Sequence, residues 1–475
     1  MSIKKKFIYS VFYMALAKYS NVIIQLVITG ILARILTPDD FGAVAISTIF
    51  ITFFQLISDV GFSPAIIQSN NLAKRDLNGI FSTCFYIGIT IATFIYLTSS
   101  CIADFYKINV LKWLLRLLCI HSLFICLNIV PEALLKKNKR FRFISVRTML
   151  VNLICGCVAV CAAYYGAGVY SLLITPISSS IIVFIINYQQ SPLKILHPRY
   201  CREGVSKVFN YSLYQFLYNF IYYISRNLDK LVVGKIMGST PLGYYEKSYH
   251  LMLTPVSNLS SVVIPTIQPF FAEKQNDTQW MFKGCCKILH FLALLSFPIS
   301  AFCFFSAREI ILIVFGNQWE MAVLPFKILS LSIGFQVVYS PQGAFYQATN
   351  STKRLFTSNV VVAALNVLAV IVGTIIFRSI NMLCLCIVIC FVLSFFYVYY
   401  ILVEKLYDQT FRSFLKIFTR PIVIALIMSI MLYLASSLFQ ENILISFTAK
   451  AIVAIVTFVP LLYFSGEYKY LNLRK

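Results

Sequence analysis

Residues 360–377, "VVVAALNVLAVIVGTIIF", run on without a charged side chain. A helix needs about 18 to 25 apolar residues to cross the hydrocarbon core, whereas a membrane β-strand needs about ten and alternates apolar with polar positions. This run does not alternate, so it reads as a membrane-spanning helix. Similar runs follow one another along the 475 residues, of which 59% are hydrophobic and only 12% charged. With a mean hydropathy of +0.81, the chain falls outside the range of soluble globular domains. The expected fold class is all-α, a polytopic membrane protein of about 14 transmembrane helices. Spans are expected near residues 11–33, 42–66, 79–103, 111–133, 148–167, 170–188, 210–236, 242–266, 285–307, 323–347, 357–377, 382–403, 419–438 and 444–464.

Lysine and arginine concentrate in cytoplasmic loops. With the N-terminus inside, about two thirds of the 40 basic residues fall in inside loops and tails, including Lys4 to Lys6, "KKNKRFRFISVR" (136–147) and the stretch 404–420. Only Lys107, Lys112, Arg308 and Arg378 fall in outside loops. Both termini are therefore expected to be cytoplasmic, and the formal charge of +23 is accounted for by loops that face anionic headgroups. The basic run at 136–147 is short and juxtamembrane, so nucleic acid is not an expected partner. The basic, apolar N-terminus imitates a signal peptide, but Lys18 interrupts it and no A-x-A site follows, so it reads as an uncleaved first helix.

No phosphate-loop, zincin or paired-aspartate motif is present, and connections are short, so the chain is not expected to be an enzyme, and no cofactor is expected. His121, His197, His250 and His290 are scattered and lack metal-ligand spacing, so no metal site is expected. The 14 cysteines lie mostly inside spans, where they act as small apolar residues.

Charges inside the membrane are costly and tend to face a cavity or a partner. They include Lys18 and Arg34 in the first span, Asp59 in the second, Arg116 in the fourth, and the segment "SRNLDKLVVGK" (225–235) in the seventh. There Arg226, Asp229 and Lys230 stand at i, i+3 and i+4 on one helix face, within about 13 to 16 Å of Lys235. Pairing of Arg226 with Asp229, with Lys235 snorkelling to the interface, is the structural alternative to a cationic cavity. Tyr214, Tyr218 and Tyr222 recur every four residues of the same span. Tyrosine anchors helices at the interface, and its ring face also stacks on sugar rings, so these three are candidates for either role.

Residues 31–47, "ILARILTPDDFGAVAIS", tie these charges to an internal repeat. A shift of 201 positions lays Arg34 on Lys235, Ile35 on Ile236, Gly42 on Gly243, Ser47 on Ser248 and Pro64 on Pro265. Repeats of the same orientation imply an approximate two-fold axis along the membrane normal. The expected architecture is two six-helix bundles, residues 1–200 and 201–408, with helices 13 and 14 and a tail in 409–475. Within 31–47, Thr37 reads as an N-cap, Pro38 as the first helical residue and Asp39 and Asp40 as first-turn acids. Gly42 is expected to permit close helix packing.

Three segments carry a resemblance: "ARILTPDDFGAVA" (33–45), "DVGFSPAIIQ" (59–68) and "LDKLVVGKIMGSTPLGYYEKSYHL" (228–251). In them the chain resembles the Wzx-type O-antigen and capsule repeat-unit flippases of the multidrug/oligosaccharidyl-lipid/polysaccharide export superfamily. The resemblance implies two bundles in a V shape and alternating access. It also implies movement of undecaprenyl-diphosphate-linked oligosaccharide from the cytoplasmic to the periplasmic leaflet of the bacterial inner membrane. Membrane lipids, a polysaccharide polymerase and glycosyltransferases are the further partners it implies. The diphosphate is a concentrated negative charge, which makes Arg34, Arg226, Lys230, Lys235 and Lys18 the candidate substrate-binding cations. Asp59 and Asp229 are candidates to hold these cations or to bind a coupling proton or sodium ion. Export of small cationic drugs by a related fold is the second reading, and a basic cavity opposes it. A membrane polymerase is the third, and the long periplasmic loop or acidic motif it calls for is not seen.

Overall fold

The computed structural model describes residues 20–59, 62–69, 72–196, 223, 226–272, 277–349, 351–438 and 442–467. These residues are helical almost throughout and contain no strand. The chain divides into two compact units, residues 1–243 and 244–475.

Unit 1 begins with α1 (Ser20–Ile35) and α2 (Pro38–Asp59), then a short α3 (Phe62–Gln68). The long helices α4 (Lys74–Tyr106), α5 (Asn109–Lys137), α6 (Phe141–Tyr164) and α7 (Ser171–Gln190) follow, and α8 covers residues 226–236. The connection between α4 and α5 is abrupt because the end of α4 is capped locally. Lys107 closes α4 in the left-handed conformation (φ 58°), its N–H bonded back to Ala103 and Asp104, and α5 starts two residues later. Where α3, α4 and α5 meet, Phe62, Ile66, Ile80, Phe81, Leu127 and Val130 form a dry core.

The helix α9 (Ser239–Ala272) starts in unit 1 and continues into unit 2. Unit 2 goes on with α10 (Thr278–Phe305), capped by Asp277 accepting from the Trp280 amide at 2.9 Å, and α11 (Ala307–Phe315). Next come α12 (Val323–Ser330), α13 (Ile333–Tyr339) and α14 (Gln342–Ala348). The last long helices are α15 (Thr352–Ile371), α16 (Ile380–Tyr400), α18 (Thr419–Leu438) and α19 (Ile443–Phe464), with a short α17 (Phe411–Leu415) before α18. Trp319, Phe326, Phe345, Tyr346 and Tyr399 are fully buried in this unit. The hydroxyl of Tyr399 donates to the Val338 carbonyl at 2.6 Å and that of Tyr346 to the Val398 carbonyl at 3.1 Å. Large rings thus fill volume while their polar tips stay bonded.

Ten of the described helices are long and apolar enough to cross a membrane, including the run at 360–377, and 317–348 makes an eleventh if its two pieces, bent by 49°, count as one span. The break lies at Leu331 and Ser332, inside the span expected at 323–347. The first and seventh expected spans reach into residues outside the described set. The eighth is a helix of 34 residues, but its prolines and hydroxyl side chains leave it less apolar than the ten. The second expected span is also divided, since α2 ends at Asp59 and α3 begins at Phe62.

One loop expectation needs correction. The basic run 136–147 is not all loop: α6 already begins at Phe141, and Arg147 is 6% exposed within it. Arg147 is buried there against Asn187 and Glu132 of neighbouring helices.

Candidate functional site

The repeat proposed from a 201-residue shift has a reciprocal geometry within unit 1. Pro38 opens α2 and Ser239 opens α9, and these positions are 201 apart. A β-carbon on Gly42 would lie 1.9 Å from the Ser239 carbonyl oxygen, and one on Gly243 would lie 2.0 Å from the Pro38 carbonyl oxygen. Each glycine therefore admits the backbone that opens the other repeat's helix, and no side chain fits at either place.

The two acids of this turn have different tasks. Asp40 closes a reciprocal cap, accepting from the Thr37 amide at 3.0 Å and hydroxyl at 2.8 Å, while the Thr37 hydroxyl accepts from the Asp40 amide at 3.3 Å. The expected Thr37 cap and Pro38 start are thus observed. Asp39 instead reaches across, accepting from the Thr240 hydroxyl at 2.9 Å and from the Ser239 hydroxyl. The sequence signalled a first-turn acid here but not its long-range partner.

Arg34 stands one turn before Thr37, and Lys235 stands one turn before Ser239, so the abutting turns carry one cation each. Both side chains are exposed. The Lys235 ammonium donates to the Phe105 carbonyl and lies 3.9 Å from the centroid of that ring, an arrangement that fixes a cation without a carboxylate.

On α8, Arg226 is exposed, Lys230 is partly buried and Asp229 is buried. At 100° per residue, Lys230 lies on the Arg226 face, while Lys235 falls on the opposite side of the helix. The structure thus groups Arg226 with Lys230 and sends Lys235 to the end of α4. The helix is tied to unit 1 by the Tyr106 hydroxyl, which donates to the Leu231 carbonyl at 3.4 Å, and by the Tyr223 hydroxyl, which donates to the Ile49 carbonyl at 2.6 Å. Lys18, Tyr214, Tyr218 and Tyr222 lie outside the described residues. Asp59 is the last residue of α2, beside the break in the second expected span. Arg116 is held between the rings of Tyr96 and Trp113, at 4.7 and 5.2 Å, and donates to the Ser99 hydroxyl at 3.2 Å.

Three buried polar clusters were missed from sequence. In unit 1, Arg147 donates to the Asn187 side-chain oxygen and lies 3.7 Å from Glu132. Asn128 completes this cluster, accepting from Asn187 at 2.7 Å and donating to Glu132 at 3.0 Å. In unit 2, Lys450 of α19 pairs with Glu309, which also accepts from the Ser446 hydroxyl at 2.6 Å. Burial works against the charged form of Glu309, but these bonds outweigh it and hold its carboxyl below the usual range. Lys450, seven residues into an apolar run, was the available signal.

The third cluster links three helices of unit 2. Glu467, just past α19, is fully buried and lies 2.6 Å from His290 Nε2, while Arg420 donates to its other oxygen at 2.9 Å. His290 Nδ1 faces the Ile417 carbonyl at 2.6 Å. With Glu467 ionised, both ring nitrogens face acceptor oxygens. Burial raises the cost of the Glu467 charge, and the His290 and Arg420 bonds more than offset it, leaving this carboxyl also below its usual range.

The fold and these charges define a polytopic helical membrane protein. The chain belongs to the polysaccharide biosynthesis protein family, which it matches over residues 31–325. It is 24% identical over 327 residues to the teichuronic acid biosynthesis protein TuaB of Bacillus subtilis (strain 168), covering 68% of this chain and 67% of that one. To the lipopolysaccharide biosynthesis protein WzxC of Escherichia coli (strain K12) it is 23% identical over 376 residues, covering 78% and 76%. Among solved structures, the lipid II flippase MurJ in an inward closed conformation superposes with a TM-score of 0.74 at 16% identity, over 96% of this chain and 99% of that one. That likeness shows the fold.

Proposed function

We propose that the chain flips an undecaprenyl-diphosphate-linked oligosaccharide from the cytoplasmic to the periplasmic leaflet of the bacterial inner membrane, as a step in polysaccharide biosynthesis. Support comes from its family and from relatives named for surface-polysaccharide biosynthesis. The observation that carries the mechanism is the exposed pair Arg34 and Lys235 on abutting, repeat-related turns, with Arg226 and Lys230 on the helix that leads to Lys235. A diphosphate offers several acceptor oxygens at high charge density. Arg34 and Arg226 bind it as bidentate donors, and the two lysines follow it as mobile point charges. Asp229, buried beside Lys230, holds these cations in place, and it and Asp59 are the carboxylates available to a coupling proton or sodium ion.

The test uses the purified chain in proteoliposomes carrying an undecaprenyl-diphosphate oligosaccharide, reading access of a glycan-cleaving enzyme to the opposite leaflet. Protein-dependent access is expected, and Arg226→Ala should abolish it at unchanged membrane abundance. Full activity of that variant removes Arg226 from the site. No access with several matched glycans and imposed ion gradients removes the flipping reading.

A further inference from the structure

A cavity of about 470 Å³ opens in unit 2, lined by Lys283, Lys287, His290, Lys416, Arg420 and Glu467 with Phe282, Cys286, Ile417 and Thr419. None of the cations assigned to transport belongs to it. Lys283, Lys287 and His290 stand at i, i+4 and i+7, on one face of the second to fourth turns of α10. Lys416 lies in the turn before α18 and Arg420 in its first turn, while Glu467 follows the last turn of α19. Two spans begin and a third ends here, so the cavity sits at one membrane interface, on the side from which the chain leaves α19.

Its charge is unbalanced. The single carboxylate, Glu467, is engaged by His290 and Arg420. Among the described residues, no acid pairs with Lys283, Lys287 or Lys416, and all three are exposed. Topology disperses lysines over loops; here three helices bring them around one concavity floored by the buried pair Glu467 and His290, with the exposed Arg420 bonded to Glu467. The volume suits a small ligand, and apolar Phe282 and Ile417 beside the ammonium groups suit one with a non-polar portion.

We propose that this cavity is a phosphate-binding site, taking a phosphate mono- or diester at the membrane interface. The ammonium groups of Lys283, Lys287 and Lys416 contact the phosphate oxygens. Glu467 acts behind them, fixing Arg420 and His290 so that the wall keeps its shape. The headgroup phosphate of an anionic membrane lipid and a soluble phosphate share this chemistry, and both belong to the test.

The experiment is native mass spectrometry of the full chain in detergent, titrated separately with phosphatidylglycerol, phosphatidylcholine and sodium pyrophosphate. Phosphatidylglycerol should bind the wild type in preference to phosphatidylcholine. Lys283→Gln, Lys287→Gln and Lys416→Gln combined should weaken it by roughly 100-fold, about fivefold per lysine. The matching triple Lys→Arg variant, which keeps the charge, should bind within about threefold of wild type, separating a charge effect from misfolding. Lysine-dependent binding of pyrophosphate without phosphatidylglycerol would assign the site to soluble phosphates. Equal binding of both lipids, or a Gln variant that holds both anionic probes like the wild type, overturns the proposal. Neither result bears on flipping, which the proteoliposome assay reads through Arg226.

Discussion

Gly42 shows how one residue type can be dictated by a neighbour far along the chain. Its missing side chain leaves room for the Ser239 carbonyl, and Gly243 does the same for Pro38. Gly42→Ala forces backbone against backbone, which cannot be relieved by turning a side chain. We expect a loss of about 1–3 kcal/mol, read as a lowered melting temperature of the purified protein. Gly343→Ala is the control, because nothing lies within 4 Å of a β-carbon there, and alanine favours the helix by up to ~1 kcal/mol. A Gly42→Ala variant as stable as wild type would mean that α2 and the start of α9 separate at no cost. Sequence suggested a packing role for Gly42 from its size alone and did not identify Ser239 as what it packs against.

Among elements, α19 depends on side chains at both of its ends. Lys450 fastens its first half to Glu309, and Glu467 fastens the far end to α10 and α18 through His290 and Arg420. Because the Glu467 carboxyl is held below the 4.5 of an unperturbed glutamate, its charged form favours the folded state. The stabilisation is therefore full above pH 4.5 and is lost as pH falls from there through the lower native value. Glu467→Gln should lower stability above pH 4.5 by about 1–3 kcal/mol, and the gap to wild type should narrow below it. Thermal melts at a series of pH values check this, and a gap that stays constant or widens in acid would contradict it. None of this was read from sequence, because His290 and Glu467 are 177 positions apart and neither has a local motif.

For the whole molecule, the distribution of basic residues predicts that both ends of the chain are cytoplasmic. A C-terminal green fluorescent protein fusion should fluoresce and a C-terminal alkaline phosphatase fusion should be inactive in cells. The opposite pair of results would invert every loop and place the phosphate cavity on the outer face. The rule behind it counts charges without seeing that Glu132 and Asn187 lie beside one of them, Arg147.

The sequence by itself determined the helical membrane class, most span positions and the Thr37 cap, because these follow from local hydropathy and end chemistry. Only the tertiary structure decided which charges are bonded inside the units, that Lys235 turns away from Arg226 toward Phe105, and that Asp39 and Asp40 divide their work. It also gathered Lys283, Lys287 and Lys416 around one cavity. Those outcomes depend on side chains converging from separate helices, and the distance between such residues along a chain carries no trace of their distance in space.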